Sequence, residues 1–140
     1  MTLGADLDTR LRNGIVSAEK DGRAVEADVD DADRLGVTLG RLRLSTPGGS
    51  LDRAVEVIPV ATSRALGDKI APVEVDPGLG GAVFRTVPSE IRDKEFYEVR
   101  TTGSETTVER FRAEEEGRVR VPFILTRKAL GRLVDDIVGD

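Results

Sequence analysis

Apolar residues return every four positions at the start of the chain, at Leu3, Leu7, Leu11 and Ile15. That spacing predicts a short amphipathic helix. Asn13-Gly14 should end it, because both residues tolerate the left-handed backbone that closes helices. From Gly14 the period changes to two. Val25, Ala27 and Val29 alternate with Glu26, Asp28 and Asp30, as in a strand with one wet face. Segments 15–19 and 23–29 flank Lys20-Asp21-Gly22, and the Asp-Gly pair predicts a tight hairpin.

Residues 37–44 also read as a strand, with apolar parity shifting between Val37/Leu39 and Leu42/Leu44. Gly40 lies between the two pairs, where a β-bulge would place an extra residue. After Thr46-Pro47-Gly48-Gly49, Ser50 is positioned to cap a helix carrying Leu51, Ala54, Val55 and Ile58. Pro59 is expected to interrupt that helix, leaving 60–66 as a second turn or a loop. Segments 71–75 and 82–87 bracket Asp76-Pro77-Gly78-Leu79-Gly80-Gly81 as a second hairpin, and 88–92 reads as one helical turn.

A third hairpin joins 96–102 to 106–112 through Thr102-Gly103-Ser104, and 118–125 follows the Glu114-Glu115-Glu116-Gly117 turn. Pro122 removes a ladder donor, which places its strand at an edge or a bulge. Thr126 then caps a last helix whose Ala129, Leu130, Leu133, Val134 and Ile137 form one apolar stripe. Hairpins dominate and long crossovers are absent. The pattern predicts an α+β domain over 1–140, an antiparallel hairpin-rich sheet with an N-terminal and a C-terminal helix and a short middle helix.

Composition narrows the chemistry. The chain has 140 residues, 39% hydrophobic and 34% charged, which suits a packed core under a solvated surface. Aromatics make up 4%, and Phe84, Phe96, Tyr97, Phe111 and Phe123 all fall in the second half, where the densest packing is expected. The net charge of −5 argues against general affinity for nucleic acid or an anionic membrane. Without cysteine there is no disulfide, thiolate nucleophile or sulfur-ligated metal. Without histidine there is no Ser-His-Asp or Cys-His arrangement and no imidazole-bound metal. The first residues carry no charged leader before an apolar stretch, so no signal peptide is read there. Apolar runs such as Phe123-Ile124-Leu125 are too short to span a bilayer. A cytoplasmic location is the default expectation.

Few constellations remain. A calcium loop starting at Asp31 would place Asp33 and Gly36 well, but Leu35 and Leu42 stand where oxygen ligands belong, so Asp28, Asp30, Asp31 and Asp33 read as a strand end and turn. Gly78-Leu79-Gly80-Gly81-Ala82-Val83 begins like a dinucleotide loop but lacks the last glycine and the following helix. Gly48, Gly49 and Ser50, at a strand-to-helix junction, are the better anion candidate. Arg110 and Arg112, with Arg118 and Arg120 on the return arm, could share the outer sheet face as an arginine ladder able to hold a phosphate or an acidic partner; the plainer reading, which is favoured, is a solvated face balanced by Glu109 and Glu114 to Glu116.

Candidate ligand-binding residues are therefore Gly48, Gly49, Ser50, Arg118 and Arg120, with no catalytic or metal-ligating residue and no cofactor expected. The edge strand beside the apolar C-terminal helix is a candidate self-association surface, although the favoured reading has that helix covering the core, and a homodimer is the expected state. The residue set favours a non-catalytic binding or adaptor domain contacting a protein or a small anion through its sheet. The alternative is an enzyme using carboxylates or a phosphate-containing cofactor at Gly48-Gly49-Ser50. Nucleic-acid binding through the arginines ranks last.

Overall fold

Asp21 and Gly22 both take left-handed backbone, with φ of 52° and 79°, and this turn folds β1 (Gly14–Lys20) onto β2 (Arg23–Ala32). Two positive φ values in succession match the right-handed twist of the strands they join. A computed structural model describes residues 1–140 and extends this hairpin into a nine-stranded antiparallel sheet. β3 (Gly36–Ser45) pairs with β2. After α2 (Leu51–Leu66) come β4 (Ile70–Asp76), β5 (Gly81–Thr86), a 3-10 turn at Pro88–Glu90, β6 (Glu95–Thr101), β7 (Glu105–Glu114), β8 (Gly117–Val121) and β9 (Phe123–Thr126). The strand order is β1-β2-β3-β7-β6-β5-β4. The α+β class read from the sequence is the class of the structure.

The bulge at Gly40 is present. Asp28 pairs with Arg41 and Val29 with Leu39, so Gly40 has no partner; Asp30 is the matching extra residue on β2, between pairs Val29–Leu39 and Asp31–Thr38. The extra residue restores the parity of the strand. Val37, Leu39, Leu42 and Leu44 all point into the core. With Val25, Ala27, Phe84, Tyr97, Val99 and Val108 they make one apolar face. The helices α1 (Leu3–Arg10), α2 and α3 (Arg127–Val138) cover that face.

Two helix boundaries depart from expectation. α1 stops at Arg10 and leaves through an extended Leu11, well before Asn13-Gly14. Ile15 belongs to β1, paired with Asp28; Val16 takes the inward position, so Ile15 faces solvent at 65% exposure. α2 runs unbroken through Pro59 to a left-handed Gly67. Proline in a helix interior costs about 3 kcal/mol. Here Ala54 and Ile58 before it, and Ala61 and Thr62 after it, are all buried on one stripe, and their packing outweighs that cost.

Pro122 is a branch point. β7 pairs with β3 only through Glu105–Val108, opposite Leu42–Ser45. Beyond this the two strands diverge, and the returning chain pairs first with β7 as β8 and then with β3 as β9. Pro122 falls between the two short strands, where the ladder changes partner and no N–H is needed. No helix is long and apolar enough to cross a membrane.

Candidate functional site

Residues that alternate with the core positions share the outer face of the sheet, which no helix covers. Cross-strand pairing aligns Arg43, Thr107, Arg100 and Val83 in one row across β3, β7, β6 and β5. The next row holds Glu109, Glu98 and Arg85, and the row beyond it Arg120, Phe111 and Phe96. Glu98 and Glu109 are therefore direct neighbours on adjacent strands, an arrangement that repels when both are ionised.

Arginines resolve the repulsion. Arg118 reaches across β7 and donates from both terminal nitrogens to the two Glu98 carboxylate oxygens, at 2.8 and 2.9 Å. Arg85 Nε donates to one oxygen at 2.8 Å and Arg100 Nε to the other at 3.0 Å. Glu98 is only 2% exposed although it lies on the open side of the sheet, because these three guanidiniums cover it. Arg118 is itself stacked on the Phe111 ring, 3.9 Å from the centroid. Burial pushes the Glu98 carboxyl up, but the hydrogen bonds from Arg118, Arg85 and Arg100 outweigh it and bring the pKa down from 4.5 to about 2.

Glu109 is the second centre, with Arg120 at 3.3 Å and Arg41 at 3.4 Å. The Arg41 contact is an ion pair without hydrogen-bond geometry, and its Nε is closed off from solvent with no hydrogen-bond partner. Five guanidiniums thus stand around two carboxylates, a local cationic excess on a chain of net charge −5. Next to Arg100, the loop after β4 closes a shallow cleft of about 380 Å³ lined by Leu79, Val83, Glu105 and Thr107.

The predicted residues fall in two separate places. Arg118 and Arg120 are on this face, opposite Ala113 and Phe111. Arg110 and Arg112 are not. The two-residue turn Glu115-Glu116 sets Glu114 against Gly117, so even-numbered residues of β7 meet odd-numbered residues of β8, and the two arginine pairs point to opposite faces. Arg110 stacks on Tyr97 at 4.7 Å and pairs with Glu95 at 3.0 Å, while Arg112 pairs with Glu114. The expected four-arginine ladder is corrected to Arg118 and Arg120 joined by Arg85, Arg100 and Arg41 from other strands.

Gly48, Gly49 and Ser50 lie at the other end of β7, before α2. Ser50 Oγ accepts from the Arg53 amide at 3.1 Å as the helix cap. Gly49 packs against the β6–β7 turn, so closely that a Cβ would overlap the Gly103 carbonyl and come within 2.9 Å of Thr46 O. Close backbone approach accounts for this glycine. Asp33 likewise directs its carboxylate to the Leu35 and Gly36 amides, each at 2.8 Å, which closes the β2–β3 turn. The apolar stripe of α3 is in the core, with Leu130, Leu133, Val134 and Ile137 all buried, so that helix offers no apolar face for self-association.

Sequence reasoning named Glu109 only as a balancing charge and missed Glu98, Arg85, Arg100 and Arg41. The signal for two of them was present, since Phe96, Glu98 and Arg100 alternate with the inward Tyr97 and Val99. No family model, no curated protein and no solved structure matches the chain.

Proposed function

We propose that this chain is a non-catalytic binding domain, cytoplasmic and dimeric, whose outer sheet face docks a carboxylate-bearing protein surface. The observation that supports this is the set of five guanidiniums fixed around Glu98 and Glu109. Pairing with buried or half-buried glutamates orders the arginines before any partner arrives, which lowers the entropy cost of docking. Each guanidinium has five N–H donors, and Arg85, Arg100 and Arg120 keep side-chain exposures of 39%, 55% and 39%. Donors therefore remain for a further set of carboxylates. The face is broad and open, which suits a protein surface better than a small molecule, whose sites are concave and enclosed. Arginine is also the charged residue most favoured at interface centres.

A polyglutamate peptide is a direct probe. At low salt it should bind the wild-type protein, measured by fluorescence anisotropy, and bind the Arg100→Ser/Arg120→Ser double variant about tenfold more weakly. Both residues are partly exposed, and Glu98 keeps Arg85 and Arg118 in the double variant, so the fold should survive. Equal affinity of the two proteins would overturn the proposal. So would tighter binding of a single-stranded DNA oligonucleotide than of the peptide.

A further inference from the structure

The sheet has unequal edges, and the difference points to how two copies meet. β4 ends one side of the strand order and is interrupted: Pro72 has no N–H to offer, and the register slips around Val73. β8 and β9 pair on one side only, but they are five and four residues long and separated by Pro122. These are the usual devices that keep edges from pairing. β1, at the other end of the order, is neither short nor interrupted. It offers seven residues, Gly14–Lys20, without proline or bulge, and exposes Ile15 at 65%.

The hairpin geometry determines which backbone groups are free. Lys20 and Arg23 flank a two-residue turn with positive φ at both central positions, so this pair exchanges hydrogen bonds. Gly14, Val16, Ala18 and Lys20 then direct their backbone toward β2, and Ile15, Ser17 and Glu19 direct theirs outward. Two antiparallel copies of β1 centred on Ser17 bring all three outward residues into hydrogen-bonded pairs. Ser17 lies opposite itself, and Ile15 lies opposite Glu19 of the second copy. On the inner face Val16 meets Ala18, and Lys20 meets Gly14. No like charges stand directly opposite in this register.

We infer that two copies of this chain join edge to edge through β1, antiparallel about Ser17, so that their sheets become continuous. The inference rests on the homodimer proposed above and assigns its interface. A two-fold axis at Ser17 makes the contact isologous and closed, which limits assembly to a pair.

Light scattering at tens of micromolar, on the order of common assay concentrations, should give twice 15.1 kDa for the wild-type protein. Hydrogen exchange at that concentration should show the Ile15, Ser17 and Glu19 amides protected, with protection lost on dilution. Ser17→Pro removes the central outward N–H without touching the β2 ladder and should return the mass to 15.1 kDa with an unchanged circular dichroism spectrum. Val75→Lys, on β4, should leave the pair intact. A wild-type mass of 15.1 kDa would overturn the dimer and the interface together. A dimer that persists in Ser17→Pro with fast-exchanging β1 amides, or one lost in Val75→Lys, would overturn the β1 assignment and leave the dimer standing. If Ser17→Pro does not fold, Ser17→Lys and the exchange data decide the same question.

Discussion

Replacing Gly4 with alanine is expected to cost about 3 kcal/mol or more, while Gly131→Ala should be neutral or stabilise by up to about 1 kcal/mol. The two glycines face each other where α1 crosses α3, yet they are not equivalent. A Cβ on Gly4 would overlap the Gly131 carbonyl oxygen and lie 2.8 Å from its carbon, and both are backbone atoms that cannot swing aside. It would also press on Asp135, whose Oδ1 accepts the Gly4 N–H at 2.7 Å. That bond and the one from Leu3 N to Asp140 Oδ2, at 2.6 Å, satisfy the start of α1 from the far end of α3. Moving α1 outward would therefore break these two bonds and withdraw Leu3 and Leu7, both at 0% exposure, from the core. A Cβ on Gly131 meets nothing closer than 3.6 Å. Helix propensity favours alanine at both sites, so propensity alone predicts gains for both. Urea unfolding followed by circular dichroism separates the cases. Equal effects of the two substitutions would show that this crossing does not set the helix spacing.

The parts of the fold legible in the sequence are those decided within a few residues. Asp21-Gly22 requires left-handed backbone and fixes a hairpin; Gly40 marks a bulge because the apolar parity changes around it; Ser50 and Thr126 cap helices through their own hydroxyls, accepting from Arg53 and Ala129. The features that local patterns misplace depend on partners distant in the chain. Pro59 is a local breaker overruled by packing on both sides of it, and packing is invisible to local rules. Pro122 signals a missing donor, but that β8 follows β7 and β9 follows β3 is a property of the whole sheet. The candidate face shows the same division. Arg118 and Arg120 are legible because arginines flank a turn. Their separation from Arg110 and Arg112 follows from counting through Glu115-Glu116, a two-residue loop whose register the sequence contains. The burial of Glu98 is beyond reach, since a glutamate alternating with Arg100 reads as an ordinary wet face until Arg85 and Arg118 arrive from neighbouring strands. Aromatic content misleads in one respect. Phe84, Phe123 and Tyr97 are buried, but Phe96 and Phe111 sit half-buried on the outer face, 6.0 Å apart, and Phe111 serves as the platform for Arg118.

Glu98→Gln is expected to lower stability at pH 7 by about 3 kcal/mol, a loss that grows from the carboxylate's altered proton affinity. The folded carboxyl titrates near 2, against 4.5 for the ordinary side chain. A depressed carboxyl contributes stability that is fully present above the unfolded value and is lost as pH falls through the folded one. Between pH 4.5 and about 2 the unfolded chain binds a proton at this position that the folded chain refuses, so wild-type stability should fall steadily across that window. The substituted amide has no such proton to bind, and the variant should be less stable at neutral pH with a shallower decline in acid. For a chain of this size the neutral-pH loss corresponds to a fall in Tm of roughly 10 °C. Glutamine preserves the shape of the side chain but puts one neutral oxygen where Arg85, Arg100 and Arg118 converge on a carboxylate, leaving Glu109 as the nearest counter-charge. Thermal unfolding of both proteins at several pH values from 2 to 7 makes the comparison. Parallel curves would show that solvent, with the Phe111 ring for Arg118 alone, stabilises the three guanidiniums, and that Glu98 is not the centre on which this face is organised.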